Sequence, residues 1–583
     1  MAKRKKKFDA KAIDGVIQAN LKRLRKPGVL TVRPGYEIAG HQLTGAPAIV
    51  ATVHTKKKEL APGDALPNSI AGTPVDVREA TAHQRLRATD PSAAALTQAY
   101  GRPEDREPDW PYEREMPSGK FLAGAKSSTA KALAAHAQGN TATHRALTSH
   151  ATKPEIKYVP ANASLDPVTV TTTITAHVSP DAGLKTLQGF LAGTTDSLII
   201  GMYDFTSGTI LKNVESALNG KKTLKMVLDN PAPNPTRDQT DTQTVDDLNA
   251  SLKARSQIVR ALDRADTYAA AWIFPYAYHI KVIVRDGTTF WLSSGNLNNS
   301  NQPDLASPPS TEDRDWHVII ENEGLAKVFA AFLNQDFVTA SQHQAKAASD
   351  VTSTVADAHA KLAAYANPPP PRRPSGQFPG SVPAKTFKNV SVTITPLLTP
   401  DEIQGDLAKK QYFSQIVQLI ESAQESLYIQ LQYIESSQDG TDYDALLRSI
   451  AGRVAAGVKV QLIESLDYGE KWAEKMKATG VDLTANIRLQ KSVHNKGFVV
   501  DSKIAVVSSQ NFSPAGIEEN RDAGVILENA AIARYFEAVF QSDWDTRAKP
   551  FAPKAGGAAK GTPAKKTHRA KKGIKRVSGP TGR

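Results

Sequence analysis

Two parts of the chain share one order of apolar and polar positions. Each has a stretch with helical spacing of its apolar residues, then an acidic residue and Ser, and then a short run rich in apolar residues; they cover residues 187–205 and 416–433. This order predicts a helix followed by a buried strand. Because helices alternate with apolar strands in both parts, the sequence predicts an α/β fold with one α/β sandwich in each half.

A β-hairpin is predicted downstream of each of these parts. The β-branched residues between His279 and Asp286 favour a strand, and the residues between His494 and Asp501 follow the same pattern. A turn at each Asp would reverse the direction of the chain. The returning strands are predicted at residues 289–293 and 504–508.

The two hairpins carry the same polar residues at the same spacing. Each has the form His-x-Lys-x-x-x-x-Asp, with a Ser fifteen and an Asn seventeen residues after the His. The period of two along a strand places the His and the Lys on one face, and the returning strand brings the Ser and the Asn beside them. The two sets are His279, Lys281, Ser294 and Asn296 in the first half, and His494, Lys496, Ser509 and Asn511 in the second.

These residue types meet the needs of phosphodiester cleavage without a metal. A neutral imidazole can attack phosphorus and leave again, which divides the displacement into two steps through a phosphohistidine. A protonated imidazole can give its proton to the leaving alcohol and then activate water, and the unperturbed pKa of histidine suits both tasks near neutrality. Lys and Asn donate hydrogen bonds to the non-bridging oxygens. Two such sets predict one active site built from both halves, with no cofactor and no metal.

The doubled motif with its downstream Ser and Asn resembles the phospholipase D superfamily. The resemblance covers roughly residues 168–545. It implies two phospholipase D-like α/β sandwich repeats that pack as a pseudo-twofold pair around a shared cleft. It also implies that His279 is the nucleophile and that His494 is first the acid and then the base, with the reverse assignment still open.

An acidic motif follows each set. Its two forms are Glu312-Asp-Arg-Asp315 and Glu519-Asn-Arg-Asp522. By the resemblance, an acidic residue at this place orients the catalytic His of the opposite half. The motif does not decide between Asp and Glu. The candidate supports are Asp315 or Glu312 for His494, and Asp522 or Glu519 for His279.

Asp286 and Asp501, at the ends of the two His-Lys motifs, have two open interpretations. They form the hairpin turns, as Asp often does, or they support the site itself. The other members of the predicted site divide by role. The phosphate would be held by Lys281, Lys496, Asn296 and Asn511, and further substrate contacts would come from Ser294, Ser509, Glu312 and Glu519.

The two halves differ by one insertion. Val318 and Val525 begin matching segments at an offset of 207 residues, whereas His279 and His494 are 215 residues apart. The first half therefore holds eight extra residues, most simply within residues 301–310. This polar, Pro-containing segment is expected to form a loop that overhangs the site.

Composition narrows the class of protein. The 583 residues are 40% hydrophobic and 22% charged, which is ordinary for a soluble protein and enough for two to four domains. The absence of Cys excludes disulfides, thiol nucleophiles and Cys-bound metals. The sequence shows no apolar run of ~20 residues and no apolar signal near its start. We therefore expect a cytoplasmic monomer, with peripheral membrane binding or export without a signal peptide as further options.

The net charge of +13 is concentrated towards the two ends of the chain. Lys-rich segments lie at residues 3–7 and 565–576, the second within a tail predicted to be disordered. Such segments attract a polyanion, either nucleic acid or an anionic bilayer, or they serve only solubility. Phospholipid is the favoured substrate because two complete motifs in one chain resemble the head-group-cleaving phospholipases. DNA or RNA is the alternative substrate, and polyanion binding without catalysis is the third hypothesis.

The segments around the two halves differ in composition. Residues 8–25 predict a basic amphipathic helix, which docks on the protein itself or on a membrane surface. Strand-like runs at 48–54 and 73–78 predict a small accessory α/β region, where His54 and His83 have structural or surface roles. The predicted domains are the N-terminal helix and accessory region 1–100, a low-complexity linker 101–165, the first repeat 166–345, an Ala- and Pro-rich connector 346–386, the second repeat 387–548 and a disordered basic tail 549–583.

Overall fold

A computed structural model describes most of the chain. The two Lys-rich segments, residues 306–310 of the expected overhanging loop, most of the predicted linker and connector, and the tail from residue 551 lie outside this description. The described residues are 8–39, 42–56, 60, 63–100, 107–108, 110, 112–116, 153–229, 238–264, 268–305, 312–345, 358, 361–362, 382–400, 411–437 and 441–550.

The strands are numbered along the chain. They are β1 Val29–Ala39, β2 Gln42–Val53, β3 Ser69–Ile70, β4 Thr73–Glu79, β5 Arg114–Glu115, β6 Val168–Ser179, β7 Ser197–Met202, β8 Thr223–Leu228, β9 Ser256–Arg260, β10 Lys281–Arg285, β11 Thr289–Ser293, β12 Asp315–Ile320, β13 Lys385–Thr399, β14 Ser426–Leu431, β15 Lys459–Ser465, β16 Ile487–Gln490, β17 Lys496–Val500, β18 Ile504–Ser508, β19 Asp522–Glu528 and β20 Lys549–Pro550.

Polar side chains cap several of the helices. Asn322 and Asn529, at matching places in the two halves, each accept a hydrogen bond from a backbone N–H in the first turn of the helix that follows. The helices are α1 Ala10–Ala19, α2 Leu21–Leu24, α3 Ala82–Thr89, α4 Pro91–Tyr100, α5 Gly183–Ala192, α6 Gly208–Ala217, α7 Asp241–Leu252, α8 Glu323–Gln342, α9 Gln411–Ser422, α10 Asp442–Ala455, α11 Leu466–Ala478, α12 Pro514–Glu518 and α13 Ala530–Thr546, with a 3₁₀ turn at Lys253–Arg255.

Most of the strands form one large sheet. Within the described residues it has fifteen strands, in the order β20-β16-β15-β14-β17-β18-β19-β13-β6-β12-β11-β10-β7-β8-β9. Outwards from the centre, β13-β19-β18-β17-β14-β15-β16 on one side match β6-β12-β11-β10-β7-β8-β9 on the other, and β20 adds a further strand at one edge of the described sheet. The predicted α/β class is confirmed. The continuity of the sheet was not predicted: the long strands β6 and β13 pair antiparallel, for example through Val170 and Val392, and so join the two halves edge to edge.

Side chains of the large sheet alternate between two apolar layers. In β10, Val282 and Val284 lie in one layer and Ile283 lies in the other. The long helices α8 and α13 cover the first layer, where residues of both halves form one continuous core. Shorter helices cover the second layer, α5 to α7 over the first half and α9 to α11 over the second. The halves therefore share a core on one face of the sheet.

The N-terminal residues form a smaller sheet of order β3-β4-β2-β1-β5. The helical segment predicted at 8–25 divides at Asn20 into α1 and α2. Its buried apolar residues Ile13, Ile17 and Leu24 pack against this sheet in one cluster. His83 is buried and its Nε2 lies 3.1 Å from the Ala94 carbonyl oxygen, a structural environment.

A buried cluster of charges joins this smaller sheet to the second half. Glu474 of α11 lies 3.1 Å from Arg33 Nη2 and 2.7 Å from Arg78 Nη1, and it accepts a hydrogen bond from the Tyr36 backbone N–H. Burial raises the pKa of Glu474, but the two guanidinium groups outweigh it and hold the pKa at about 2. The ionised carboxylate therefore helps to hold the smaller sheet on α11. Among the helices that the structure describes, none combines the length and apolar character needed to cross a membrane.

Candidate active site

The strands near the centre of the large sheet place both His-Lys sets. Lys281 and Lys496 are the first residues of β10 and β17, and each pairs with the last residue of the neighbouring strand, β7 or β14. Each His precedes its Lys by two residues. The returning strands β11 and β18 end directly before Ser294 and Ser509. The predicted hairpins are thus present, and each brings its Ser and Asn back to the level of the His-Lys strand.

Each histidine is paired with an aspartate from the other half of the chain. His279 Nδ1 lies 2.8 Å from Asp522 Oδ1, and His494 Nδ1 lies 3.1 Å from Asp315 Oδ1. Both carboxylates are fully buried. Of the two acidic residues that the sequence offered for each histidine, the Asp is the one placed within hydrogen-bonding distance. The geometry therefore joins the two sets into one site.

The two glutamates of the acidic motifs lie in different surroundings. Glu312 is buried, and its Oε1 has no hydrogen-bond partner among the described residues. Glu519 is partly exposed at the C-terminal end of α12, where its backbone N–H donates to the Ala515 carbonyl. Their proposed contacts with substrate stay predictions.

Neighbouring side chains hold the two aspartates. Asp315 accepts hydrogen bonds from Ser294 Oγ at 2.8 Å and from Asn301 Nδ2 at 3.0 Å. Asp522 accepts one from Ser509 Oγ at 2.5 Å. The structure places both serines against these carboxylates, where the sequence predicted substrate contacts. A hydroxyl that orients the carboxylate also orients the histidine beyond it.

Two asparagines near these aspartates were not predicted from the sequence. Asn301 donates to Asp315, while the hydrogen bond of Asn520 lowers the pKa of Asp522. Asn520 belongs to the Glu-Asn-Arg-Asp motif, but the matching position of the first half is Asp313. Because Asp313 has no amide, this difference between the halves indicated that another residue of the first half must donate the amide hydrogen bond to Asp315. That residue is Asn301.

Burial dominates the electrostatics of the aspartates. It raises the pKa of Asp315 to about 7, against the opposing effects of Lys496, Ser294, Lys281 and Asn301. Burial likewise raises the pKa of Asp522 to about 7, against Lys281, Ser509 and Lys496. Both carboxyls therefore change charge in the range where imidazole does, which is characteristic of sites that move protons.

The two lysines are buried and have different neighbours. Lys281 Nζ donates to the His279 carbonyl at 2.5 Å and lies 4.9 Å from the centre of the Tyr203 ring. Lys496 Nζ lies 3.2 Å from Gln432 Oε1 and within 3.1 Å of both ring nitrogens of His494. Tyr203 and Gln432 directly follow β7 and β14, so they occupy matching positions. The two halves of the site are therefore chemically different.

Asn296 and Asn511 stand close to the ends of the returning strands. Both are buried, and the side-chain Oδ1 of each has no hydrogen-bond partner among the described residues. The Asn296 backbone N–H donates to Asn301 Oδ1 at 3.0 Å. Buried amide groups of this kind can bind a polar ligand.

Asp286 and Asp501 lie at the other ends of β10 and β17. Each has a positive φ in the hairpin turn, 54° for Asp286 and 50° for Asp501. Three consecutive backbone N–H groups donate to each carboxylate, from residues 195–197 in the first half and 424–426 in the second. These hydrogen bonds outweigh partial burial and lower the pKa of both carboxyls. These contacts therefore favour a structural role, in which each Asp holds the segment that leads into β7 or β14.

The second half of the chain is similar to a known protein family. Residues 416–544 match the family model described as "Cardiolipin synthase, PLD-like domain". In the described ranges, no three His, Asp or Glu side chains are grouped to hold a metal ion. A comparison with curated proteins found no match. The second half therefore contains a PLD-like domain at residues 416–544, and the resemblance drawn from the motifs is confirmed.

Solved structures similar to the chain include three with low sequence identity. The phosphatidylserine synthase of Haemophilus influenzae Rd KW20 is 13% identical, over 70% of this chain and 91% of its own, with a TM-score of 0.42. The phospholipase D family member Nuc from Salmonella typhimurium is 16% identical, over 27% of this chain and 99% of its own, with a TM-score of 0.22. NucT from Helicobacter pylori is 17% identical, over 27% of this chain and 99% of its own, also with a TM-score of 0.22.

Proposed function

We propose that the chain is a phosphodiesterase of the phospholipase D type, which hydrolyses or transfers phosphodiesters through a phosphohistidine and without a metal. One observation carries this proposal: the histidine of each half lies against an aspartate of the other half. Each half therefore supplies the carboxylate that contacts the histidine of the other half. A single site with two imidazoles can divide the work between a nucleophile and an acid-base group.

His279 is the proposed nucleophile. Its Nδ1–H donates to ionised Asp522, which leaves the Nε2 lone pair for attack on phosphorus. In the first step the Nε2–P bond forms and the P–O bond to the leaving alcohol breaks, while the alcohol oxygen takes a proton from His494. In the second step His494 takes a proton from water as the water oxygen bonds to phosphorus and the Nε2–P bond breaks. An alcohol in place of water would give transfer.

Solvent exposure supports this division of roles. The His494 side chain is 14% exposed, whereas that of His279 is 2% exposed. The acid-base group must exchange protons with the leaving alcohol and the incoming water, so the more exposed ring suits that role. Asp315 would orient His494 as Asp522 orients His279.

The lysines and asparagines are proposed to hold the phosphate. Lys281 and Lys496 supply two positive charges that are buried beside the histidines, and Asn296 and Asn511 supply amides from the returning strands. Charge-assisted hydrogen bonds to the non-bridging oxygens are strong where water is excluded. Because these groups carry the positive charge themselves, the proposed reaction needs no metal.

Phospholipid is the proposed substrate. The presence of two His-Lys sets in one chain supports it, as does the description of the matched family model as a cardiolipin synthase domain. Nucleic acid is the second candidate because the net charge of +13 favours a polyanion. If phospholipid is the substrate, the protein would act at a membrane surface.

Head-group release from mixed phospholipid liposomes in EDTA tests the proposal. Native protein is compared with His494→Ala and with His54→Ala, a control in which the replaced ring lies beside Thr55, just after strand β2. We expect native protein and the control to release head groups, and His494→Ala to be slower by about 10²–10⁴-fold.

Other results would redirect or refute the proposal. Release by native protein that His494→Ala leaves unchanged would contradict the proposed site. No release from folded native protein would contradict a phospholipid substrate, and the same three proteins would then be tested on DNA and RNA. Polyanion binding without turnover of any diester, unaffected by His494→Ala, would favour the non-catalytic hypothesis.

A further inference from the structure

Two buried aspartates lie on the long helices α8 and α13, within the core that both halves share. Asp336 of α8 binds Arg521 in a bidentate manner, with Nε 2.9 Å from Oδ2 and Nη2 2.5 Å from Oδ1. Its Oδ2 also accepts a hydrogen bond from Tyr278 OH at 2.9 Å. One carboxylate of the first half thus holds an arginine of the second half.

Asp543 of α13 repeats this arrangement in the opposite direction. It binds Arg314 with Nε 2.7 Å from Oδ2 and Nη2 3.0 Å from Oδ1. Gln430 Nε2 donates to the same Oδ2 at 2.9 Å, and Gln430 Oε1 accepts from Asn495 Nδ2 at 3.3 Å. Here a carboxylate of the second half holds an arginine of the first.

The partners of these helix aspartates are sequence neighbours of the proposed catalytic pairs. Arg521 and Tyr278, which bind Asp336, directly precede Asp522 and His279. Arg314 directly precedes Asp315, and Asn495, which Gln430 connects to Asp543, directly follows His494. Each helix aspartate is therefore linked to two residues, one adjacent in sequence to the His and one adjacent to the Asp of the same His–Asp pair.

Backbone hydrogen bonds strengthen the same links. The Arg314 N–H donates to the Ser492 carbonyl at 2.9 Å, and the His494 N–H donates to the Arg314 carbonyl at 3.1 Å. At the matching place, the Arg521 N–H donates to the Ala277 carbonyl at 3.0 Å. A shift of either arginine would therefore move the segment that leads into the opposite histidine.

The helix aspartates are needed because both arginines are buried. The side chains of Arg314 and Arg521 are 4% and 0% exposed. A guanidinium removed from water is stable only when carboxylates and other acceptors surround it. Bidentate geometry also restricts the orientation of the guanidinium plane, which a single hydrogen bond does not do.

We propose that Asp336 and Asp543 are positioning residues, each assigned to one catalytic pair. Asp336 holds the His279–Asp522 pair through Tyr278 and Arg521, and Asp543 holds the His494–Asp315 pair through Gln430 and Arg314. The kinetic part of this proposal rests on the proposed function. The two substitutions Asp336→Asn and Asp543→Asn should consequently affect different steps of the reaction.

A diester with a p-nitrophenyl leaving group separates the two steps. Nitrophenolate leaves without a proton, so formation of the phosphohistidine requires the His279 nucleophile but little help from the acid. We expect Asp336→Asn to slow the burst of nitrophenolate by about 10–100-fold. We expect Asp543→Asn to keep the burst and to slow the steady state by a similar factor, with KM changed less than about twofold in both.

A spectroscopic readout tests the positioning independently of turnover. In protein with isotope-labelled histidine, Asp336→Asn should change the ring signals of His279 and leave those of His494 in place, and Asp543→Asn should do the reverse. Tyr278→Phe removes only one hydrogen bond to Asp336 and should shift the His279 signals in the same direction, by a smaller amount. This variant keeps the test available if Asp336→Asn does not fold.

Glu474→Gln is the matched control because Glu474 also neutralises buried arginines but joins the smaller sheet to α11. It should lower stability and leave both histidine signals and the burst unchanged. Equal changes at both histidines in Asp336→Asn, or unchanged signals in the folded variant, would overturn the proposal. An inactive native protein whose histidine signals respond selectively would refute the proposed function and keep the positioning.

Discussion

Asp522 lies 2.8 Å from His279, although the two residues are 243 positions apart in the sequence. Asp315 and His494 form the second contact of this kind, 179 positions apart. In each pair the Asp is the first residue of β12 or β19, and the His lies two residues before the first strand of the other hairpin. A substitution of either aspartate should therefore alter the orientation and the protonation of the histidine in the opposite half.

The pH dependence of turnover should report these aspartates. Their pKa values are raised to about 7, so below that pH the carboxyls are protonated and cannot accept the Nδ1–H of the histidines. Turnover should rise as pH increases through about 7 and fall again when the acid histidine loses its proton, which gives a bell-shaped profile. Initial rates between pH 5 and 9 measure this.

Asp522→Asn provides the comparison for that profile. It should lower the maximal rate and remove the dependence on the Asp522 carboxyl from the rising limb, because an amide does not titrate. A flat profile for the native protein between pH 5 and 8 would show that a step other than chemistry limits the rate.

Asp501→Ala should destabilise the fold while sparing the chemistry. The substitution removes the acceptor of three consecutive backbone N–H groups in the turn before β14. By analogy with helix caps, we expect a loss of about 1–2 kcal/mol in the free energy of unfolding. Urea denaturation measures the loss, and kcat of the folded variant should stay within about twofold of native. A fall of kcat by orders of magnitude in a folded variant would place Asp501 in the site's own support.

Strong chelators should leave turnover unchanged. The positive charge of the proposed site comes from Lys281 and Lys496, both of them buried beside the histidines. Rates are measured after dialysis against EDTA, with and without added Zn²⁺ or Mg²⁺. Complete loss that an added metal restores would refute a metal-independent reaction.

Local spacing made part of the site predictable. The period of a strand and the hairpin turn bring His279, Lys281 and Asn296 together from within eighteen consecutive residues. The same local geometry accounts for Asp286, whose carboxylate turns towards the segment before β7. The α/β class followed from the alternation of helical and apolar runs, which needs no long-range information.

Contacts between distant segments were beyond such reasoning. The motif offered both Glu312 and Asp315, and only the way β12 meets the opposite half places Asp315 beside His494. The pairing of β6 with β13 depends on the meeting of two sheet edges, which no spacing encodes. Asp336 and Asp543 occupy matching positions at the offset of 207 residues, but the bond of Asp336 to Arg521 crosses 185 residues.

Turnover of His279→Ala and His494→Ala shows whether one active site requires both halves of the chain. Both variants are compared with native protein on the same phosphodiester, after far-UV circular dichroism has shown that they fold. We predict that each single substitution lowers turnover by about 10²-fold or more, because neither imidazole can replace the other. Retention of about half of the native rate in either variant would mean that the chain has two independent sites, and a shared site would then be refuted.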